Sequence, residues 1–355
     1  MTIILRTDPL NPDHNVLKYA AEVLRKDGVV AFPTETVYGL GAIVFNEKAV
    51  SKVFWAKKRP PDNPLIIHIS DYVMLDKIAI NIPEKAYRLM RAFWPGPLTL
   101  ILPRHQSVPG IVTSGLDTIA VRMPAHPIAL GIIKEVNEPI AAPSANIAGK
   151  PSPTSAEHVI RDLYGRVDLI IDGGETLYGV ESTIINVLGD PPILLRPGAY
   201  PVEVIEKVLG ERIAIPDFAK GFREAEKAIA PGMKYIHYAP DTPIVLVDPV
   251  SGDIEKLVTT LREISTLCKE QGLNVCVVST KETLAIQFQA LRDMLVFDIG
   301  SRENFFEITR NLFKVLRRLD ESKCDIAIIE GVSERGLGLA IMNRLRKAAK
   351  KRVIV

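Results

Sequence analysis

From residue 242 to the end of the chain, apolar strand candidates alternate with helical periods, and few folds can hold that pattern. PIVLVD, NVCVVS, MLVFDIG, CDIAIIEGV and RVIV are short and rich in β-branched residues. Between them SGDIEKLVTTLREISTLCKEQG, TLAIQFQALRDM, FFEITRNLFKVLRRLDES and LGLAIMNRLRKAA repeat with a helical period. Strands that are apolar on both faces and separated by helices make a parallel sheet covered on both sides. The alternation therefore predicts a small, doubly wound parallel α/β domain over residues 242–355. It has no G-x-G-x-x-G. The glycines of GVSERGLGLAIMNRL stand before a helix and fit either an anion site or a plain turn.

Residues 1–210 read differently. NVLKYAAEVLRKDG and NEKAVSKVFWAKK are helical, and the prolines at 60 and 61 stop the second of them. Strand-like VVAFP, PLIIHI, LTLILP, TIAVRMP, PIAAPSA, DLIIDGG, STIINVL and PILLRPG follow with only some helices between them. The expectation is α/β with a mixed twisted sheet. Residues 211–241 have no clean period and are rich in Pro, Gly, aromatics and charge, which reads as a linker that packs on something.

The bulk numbers set limits. A chain of 355 residues suggests about two domains, and 47% hydrophobic content supplies more than one core. The formal charge is only +2, so no global field steers the protein to nucleic acid or a membrane, and anion binding must be local. No run of ~18 apolar residues occurs, and the N-terminal apolar run is too short for a signal peptide. A soluble cytoplasmic protein is expected. Cys268, Cys276 and Cys324 form no C-x-x-C and read as small buried thiols in a reducing compartment.

Chemistry concentrates in the first 210 residues. In WAKKRPPDNPLIIHI, Lys57, Lys58 and Arg59 end a helix against two prolines, with Asn63 in the next turn. Cations at a helix C-terminus suit its dipole, while a fixed backbone under them suits a site that grips phosphates. APSANIAGKPSPTS sets Ser144, Asn146, Ser152 and Thr154 after a strand, as a phosphate cradle or an ordinary capped turn. FPTETVYGLG gathers Thr34, Glu35, Thr36 and Tyr38. Arg122 stands in an apolar strand and requires a carboxylate or phosphate partner. Ser182 opens a strand, Arg196 leaves one, and His68 lies inside one as a core histidine or a ligand contact. No nucleophile elbow, Walker loop or H-E-x-x-H occurs, and the histidines do not pair at metal-ligand spacing. Such a site is poor in obvious acids and nucleophiles and works by positioning and charge neutralisation.

Lys57, Arg59, Ser144 and Asn146 match the K-x-R…S-x-N signature of the YrdC-like fold. PTETVYGLG, WPGPLTLIL, VRMP, GVESTIINV, LLRPG and PGMKYIHYAP resemble further blocks of the two-domain threonylcarbamoyl-AMP synthases, densely from about residue 10 to 241. The resemblance implies a YrdC-like catalytic domain and a Rossmann-like C-terminal one. It also implies ligation of L-threonine, bicarbonate or CO2, and ATP into threonylcarbamoyl-AMP with loss of pyrophosphate, aided by Mg2+. The product would serve a separate tRNA threonylcarbamoyl transferase complex, with room for a weak tRNA contact and none for a membrane. On this resemblance Thr36, His68, Arg122, Ala142 and Ser182 would contact threonine. Arg59, Asn63, Thr118, Ser144, Ser152, Arg196 and Tyr235 would contact the nucleotide, with Lys57 and Asn146 completing the signature. No protein ligand for a metal is implied. The linker, with Tyr235 and His237, would close over the cleft as a lid. Two other readings stay open: an RNA-binding protein, and a carbamoyltransferase that forms a carbamoyl-adenylate.

Overall fold

The computed structural model describes residues 1–225, 228–231, 233, 238–250, 252–291 and 294–355. The chain resolves into two compact units. The first comprises Met1–Ala148, Ser152–Ala219 and Arg223–Tyr235; the second comprises Gly149–Pro151, Lys220–Phe222 and Ile236–Val355.

The first unit is built on ten strands: β1 (Ile3–Arg6), β2 (Val30–Phe32), β3 (Gly39–Ile43), β4 (Ile66–His68), β5 (Leu98–Pro103), β6 (Thr118–Arg122), β7 (Ile140–Ala141), β8 (Leu169–Asp172), β9 (Thr183–Asn186) and β10 (Ile193–Arg196). Their order in the sheet is β1-β8-β2-β3-β7-β4-β6-β5-β9-β10. Pairing is mixed: β4 runs parallel to β6 and β5 to β9, while β3/β7, β4/β7 and β5/β6 are antiparallel. The mixed sheet agrees with the expectation. β1 and β3 are additions to the strands read from sequence.

Register decides what shares a face. Ile66 is opposite Ala120 and His68 opposite Arg122, Ile101 is opposite Ala120, and Thr99 is opposite Ile184. Side chains alternate along a strand, so one face carries a polar set of His68, Arg122, Thr99 and Ser182 beside an apolar set of Ile66, Ala120, Ile101 and Ile184. Ala225, Ala230 and Met233 pack on the apolar set together with Leu195. Part of the segment read as a linker therefore lies on this sheet face.

The helix Glu47–Lys57 shows how local sequence places a site. The Asn46 side chain caps its start, accepting from the Ala49 N–H at 3.0 Å. Its end is a left-handed Lys58 (φ 52°), and the Arg59 N–H returns to the Phe54 carbonyl at 2.9 Å. The helix thus ends at Lys57, three residues before Pro60, in a C-cap that turns Lys57 inward and sends Arg59 across the turn.

The second unit holds an all-parallel sheet of β11 (Ile244–Asp248), β12 (Val275–Ser279), β13 (Leu295–Asp298), β14 (Ile326–Glu330) and β15 (Lys351–Ile354), ordered β13-β12-β14-β11-β15. The chain steps one way from β11 through β12 to β13 and then back through β14 to β15, a reversal that, with crossovers of the usual right hand, covers both faces of the sheet. Val245, Val247, Leu257, Leu261, Val277 and Ile328 make one of its cores. The glycines of residues 331–338 serve the turn into the helix Gly338–Ala348: a Cβ on Gly338 would sit 1.8 Å from the Ser333 carbonyl oxygen.

Two sequence expectations need correction here. Cys276 and Cys324 form a disulfide, with Cα atoms 5.8 Å apart, and only Cys268 is free. The strand β12 and the end of the helix Phe305–Glu321 bring together two cysteines that are 48 residues apart in sequence, a proximity that no C-x-x-C spacing announces. The other correction concerns acids and belongs to the site. Among the described residues no helix is long and apolar enough to cross a membrane.

Candidate active site

Arg122 ends β6 at 3% exposure. A buried guanidinium requires partners for its five donors. Nη1 donates to Thr36 Oγ1 at 2.9 Å and Nε to the Gly96 carbonyl at 3.3 Å. Nη2 stands 2.6 Å from Glu35 Oε1 as an ion pair rather than an aligned hydrogen bond. Thr36 is itself fixed. Thr34 Oγ1 lies 2.8 Å from Thr36 Oγ1, donates to the Val37 carbonyl at 2.7 Å, and accepts from the Thr36 N–H at 3.2 Å.

His68 stands opposite Arg122 in the parallel β4/β6 pair at 4% exposure. Burial, and then the neighbouring Arg122 charge, push its pKa down to about 3. It is a neutral imidazole at physiological pH, and its Nδ1 finds no hydrogen-bond partner among the described residues.

Ser182 closes the far side. Its Oγ is 2.7 Å from Thr99 Oγ1 and accepts from Arg196 Nη2 at 3.2 Å. Arg196 also donates from Nη2 and Nε to the Ser182 carbonyl, at 3.0 and 3.2 Å. This close approach depends on the Pro-Gly after Arg196, because a Cβ on Gly198 would lie 2.3 Å from Ser182 C and Thr183 N.

The signature residues form a second group. Lys57 is 1% exposed and donates to the Ser144 and Asn146 carbonyls. Ser144 Oγ donates to Asn146 Oδ1 at 2.6 Å. Arg59 Nε donates to the Asn63 carbonyl at 3.0 Å, and its Nη2 to Asn63 Oδ1 and the Pro64 carbonyl at 2.7 and 2.9 Å. Ser152 Oγ donates to Glu181 Oε1 at 2.6 Å. Backbone bonds lace these loops to the Thr34–Tyr38 turn: Ala145 N to the Tyr38 carbonyl at 2.8 Å, and Tyr38 N to the Pro153 carbonyl at 2.9 Å. Ala142 N donates to the Ile66 carbonyl at 2.9 Å, and Thr118 begins β6 on the same face as Arg122.

Direct contacts therefore join Thr36 to Arg122, with His68 alongside, and Arg196 to Ser182. They also join Lys57 to Ser144 and Asn146, and Arg59 to Asn63. Tyr235 and His237 lie outside the described residues. Glu35 and Glu181, each 5% exposed, correct the reading of a site poor in acids. Both stand inside blocks quoted from the sequence, and Arg122's need for a carboxylate was the available signal for Glu35. For Glu181 the sequence offers no such signal: Ser152, which donates to it, is a neutral serine 29 residues away.

The ten-stranded mixed sheet with a buried Lys–Ser–Asn knot and an arginine–carboxylate pair on one face, followed by a separate parallel unit, defines a YrdC-like α/β protein with an added C-terminal domain. Two family models match the chain in that order: one described as "Telomere recombination" over residues 22–198, and the threonylcarbamoyl-AMP synthase C-terminal domain over 200–350. The threonylcarbamoyl-AMP synthase of Pyrococcus abyssi is 50% identical over 354 residues, covering 100% of this chain and 99% of that protein. The Bacillus subtilis protein of the same name is 47% identical over 350 residues, covering 98% and 97%. A crystal structure of P. abyssi Sua5 complexed with L-threonine superposes with a TM-score of 0.90 at 48% identity, covering 100% of this chain and 99% of that one. The chain belongs to the threonylcarbamoyl-AMP synthase family.

Proposed function

We propose that this enzyme is an L-threonylcarbamoyladenylate synthase. As a nucleotidyltransferase it joins L-threonine, bicarbonate or CO2, and ATP into threonylcarbamoyl-AMP and pyrophosphate. The product supplies threonylcarbamoyladenosine modification of tRNA, through a separate transferase complex in the cytoplasm. The observation that carries the reading is Arg122: a buried guanidinium, oriented by Thr36, beside a neutral His68 that adds no competing charge. The threonine-bound P. abyssi structure supports the same substrate here.

In this reading Arg122 takes the threonine carboxylate in its fork. Thr36, His68, Ala142 and Ser182 shape the pocket around the rest of the amino acid. The nucleotide takes the other group, Arg59, Asn63, Thr118, Ser144, Ser152 and Arg196, with Tyr235 joining from the linker. Lys57 acts mainly as an internal strut: its ammonium fixes the Ser144–Asn146 loop from behind. Arg59 is held by Asn63 and Pro64 with its charge aimed at the phosphates. Mg2+ would enter on the triphosphate, because this ion keeps phosphate oxygens and water as ligands and takes few from protein. Glu181 beside Ser152 is the carboxylate on that side. The carbamate of threonine is the nucleophile, so the protein needs none. Its residues orient the carbamate toward the α-phosphorus and offset the charge of the departing pyrophosphate.

The reading is tested by incubating the protein with ATP, Mg2+, bicarbonate and labelled threonine and following pyrophosphate. Threonine-dependent release is expected, and its absence would refute the assignment. Arg122→Ala should raise the KM for threonine about 100-fold while leaving that for ATP within about threefold.

A further inference from the structure

Among the described residues at the Arg122 cluster, Glu35 is a charged group with no part in carboxylate binding or adenylyl transfer. It is 5% exposed, and neither carboxylate oxygen receives a hydrogen bond among the described residues. Its partner is the Arg122 guanidinium, 2.6 Å away. A carboxylate offers about four acceptor sites, and leaving them unfilled in a buried position costs free energy. Such a group is complete only when a donor arrives.

An α-amino acid presents a carboxylate and an ammonium on one carbon. A guanidinium touching a carboxylate is the mirror of that charge pattern. If Arg122 takes the amino acid's carboxylate, the ammonium is brought to Glu35, and its three N–H donors meet the oxygens that lack them. We propose that Glu35 binds the threonine ammonium and is the base that deprotonates it for carbamate formation. This rests on the reading that Arg122 holds the threonine carboxylate.

The step balances. An ammonium N–H bond breaks and its proton passes to a Glu35 oxygen. The freed nitrogen lone pair forms the N–C bond to CO2. The nitrogen then sheds a second proton, giving the carbamate that attacks the α-phosphorus. When bicarbonate is the source, its loss of hydroxide releases CO2, and that hydroxide takes the second proton as water. With free CO2 the second proton goes to solvent. Glu35 returns its proton to solvent as product leaves.

His68 is no substitute as the base, because burial and Arg122 both oppose a charged imidazole there. Among the described residues, Glu35 also acts electrostatically on His126, Tyr178 and Tyr200. Burial lowers the first and raises the two tyrosines, so all three stay uncharged from pH 7 to 9.

The test compares L-threonine with its deamino analogue, 3-hydroxybutyrate, on the wild type and on Glu35→Gln. Calorimetry should show the wild type preferring threonine by about tenfold or more, and the variant treating the two within about threefold. Threonine-dependent pyrophosphate release by the variant should fall about 100-fold or more, with the KM for ATP unchanged. The variant's rate should then climb about tenfold per unit from pH 7 to 9, as free amine accumulates, while the wild type's does not. A purely structural role would weaken both ligands alike and leave the two pH profiles parallel. Either of those results, or a variant within about threefold of the wild-type rate, overturns the proposal. If Glu35→Gln fails to fold, the wild-type comparison still decides, because equal binding of threonine and its deamino analogue removes the ammonium site. A wild type that binds threonine selectively yet releases no pyrophosphate would refute the reaction and leave the Glu35 site standing.

Discussion

At the scale of single residues, the site stores its function in side chains that are more buried than their chemistry prefers. His68 is the clearest case for stability. Its folded pKa is about 3, whereas an unfolded histidine titrates near 6.5, so the unfolded chain takes up the proton first. Its contribution is complete above the unfolded value and drains as pH falls from about 6.5 toward 3. Urea midpoints at pH 7 and pH 4.5 should therefore show the wild type losing about 2 kcal/mol more than His68→Asn. Equal losses would mean that His68 is free to charge. Lys57 follows a different logic. Sequence offers it as a phosphate-facing cation, but at 1% exposure with carbonyls on its ammonium it braces a loop. Nothing in the letters K-K-R says which of three cations turns inward. The left-handed Lys58 decides it.

At the scale of elements, the turns hold the site more than the strands do. The Arg196–Ser182 contact needs Gly198, and Gly198→Ala places a methyl carbon against backbone that has no room to move. That variant should lose about 1–3 kcal/mol of stability and about tenfold or more in threonine-dependent rate. Thermal unfolding and pyrophosphate release check the two halves, and an unchanged rate would show that the contact does not position Ser182. Sequence periodicity was most informative where strands are buried on both faces, as in β5, β6, β11, β12 and β14, and it also marked the more exposed edge strands β13 and β15. It failed at β1, an edge strand with most of its residues exposed, and at β3, where Gly39 and Gly41 thin the apolar signal. PIAAPSA yields only Ile140–Ala141 as strand, because Pro143 follows and lacks a donor for a further rung. In the site, single residues such as Arg122 and Ser182 were legible because their types stand out in apolar runs. Pairings such as Ser152–Glu181 were not, since register and loop path alone create them.

At the scale of the whole chain, the segment between the two domain patterns is partly structure of the first unit. Met233, at 3% exposure, sits with Ala230 and Ala225 on the sheet face that carries Arg122 and Ser182. Met233→Ala should loosen this cover, speeding limited proteolysis between residues 223 and 241 and raising the KM for ATP severalfold. Unchanged cleavage and KM would argue against a lid. The second unit bears on a different question. In parallel sheets of this winding, small molecules usually lodge where neighbouring strands send their connections in opposite directions, here at the carboxyl ends of β12 and β14. That place is filled by the protein's own groups: Glu330 takes hydrogen bonds from Ser279, from the Thr280 N–H and hydroxyl, and from Arg302. The mouth of this small domain is corked from within, and any guest would have to evict Arg302 from its carboxylate before it could enter.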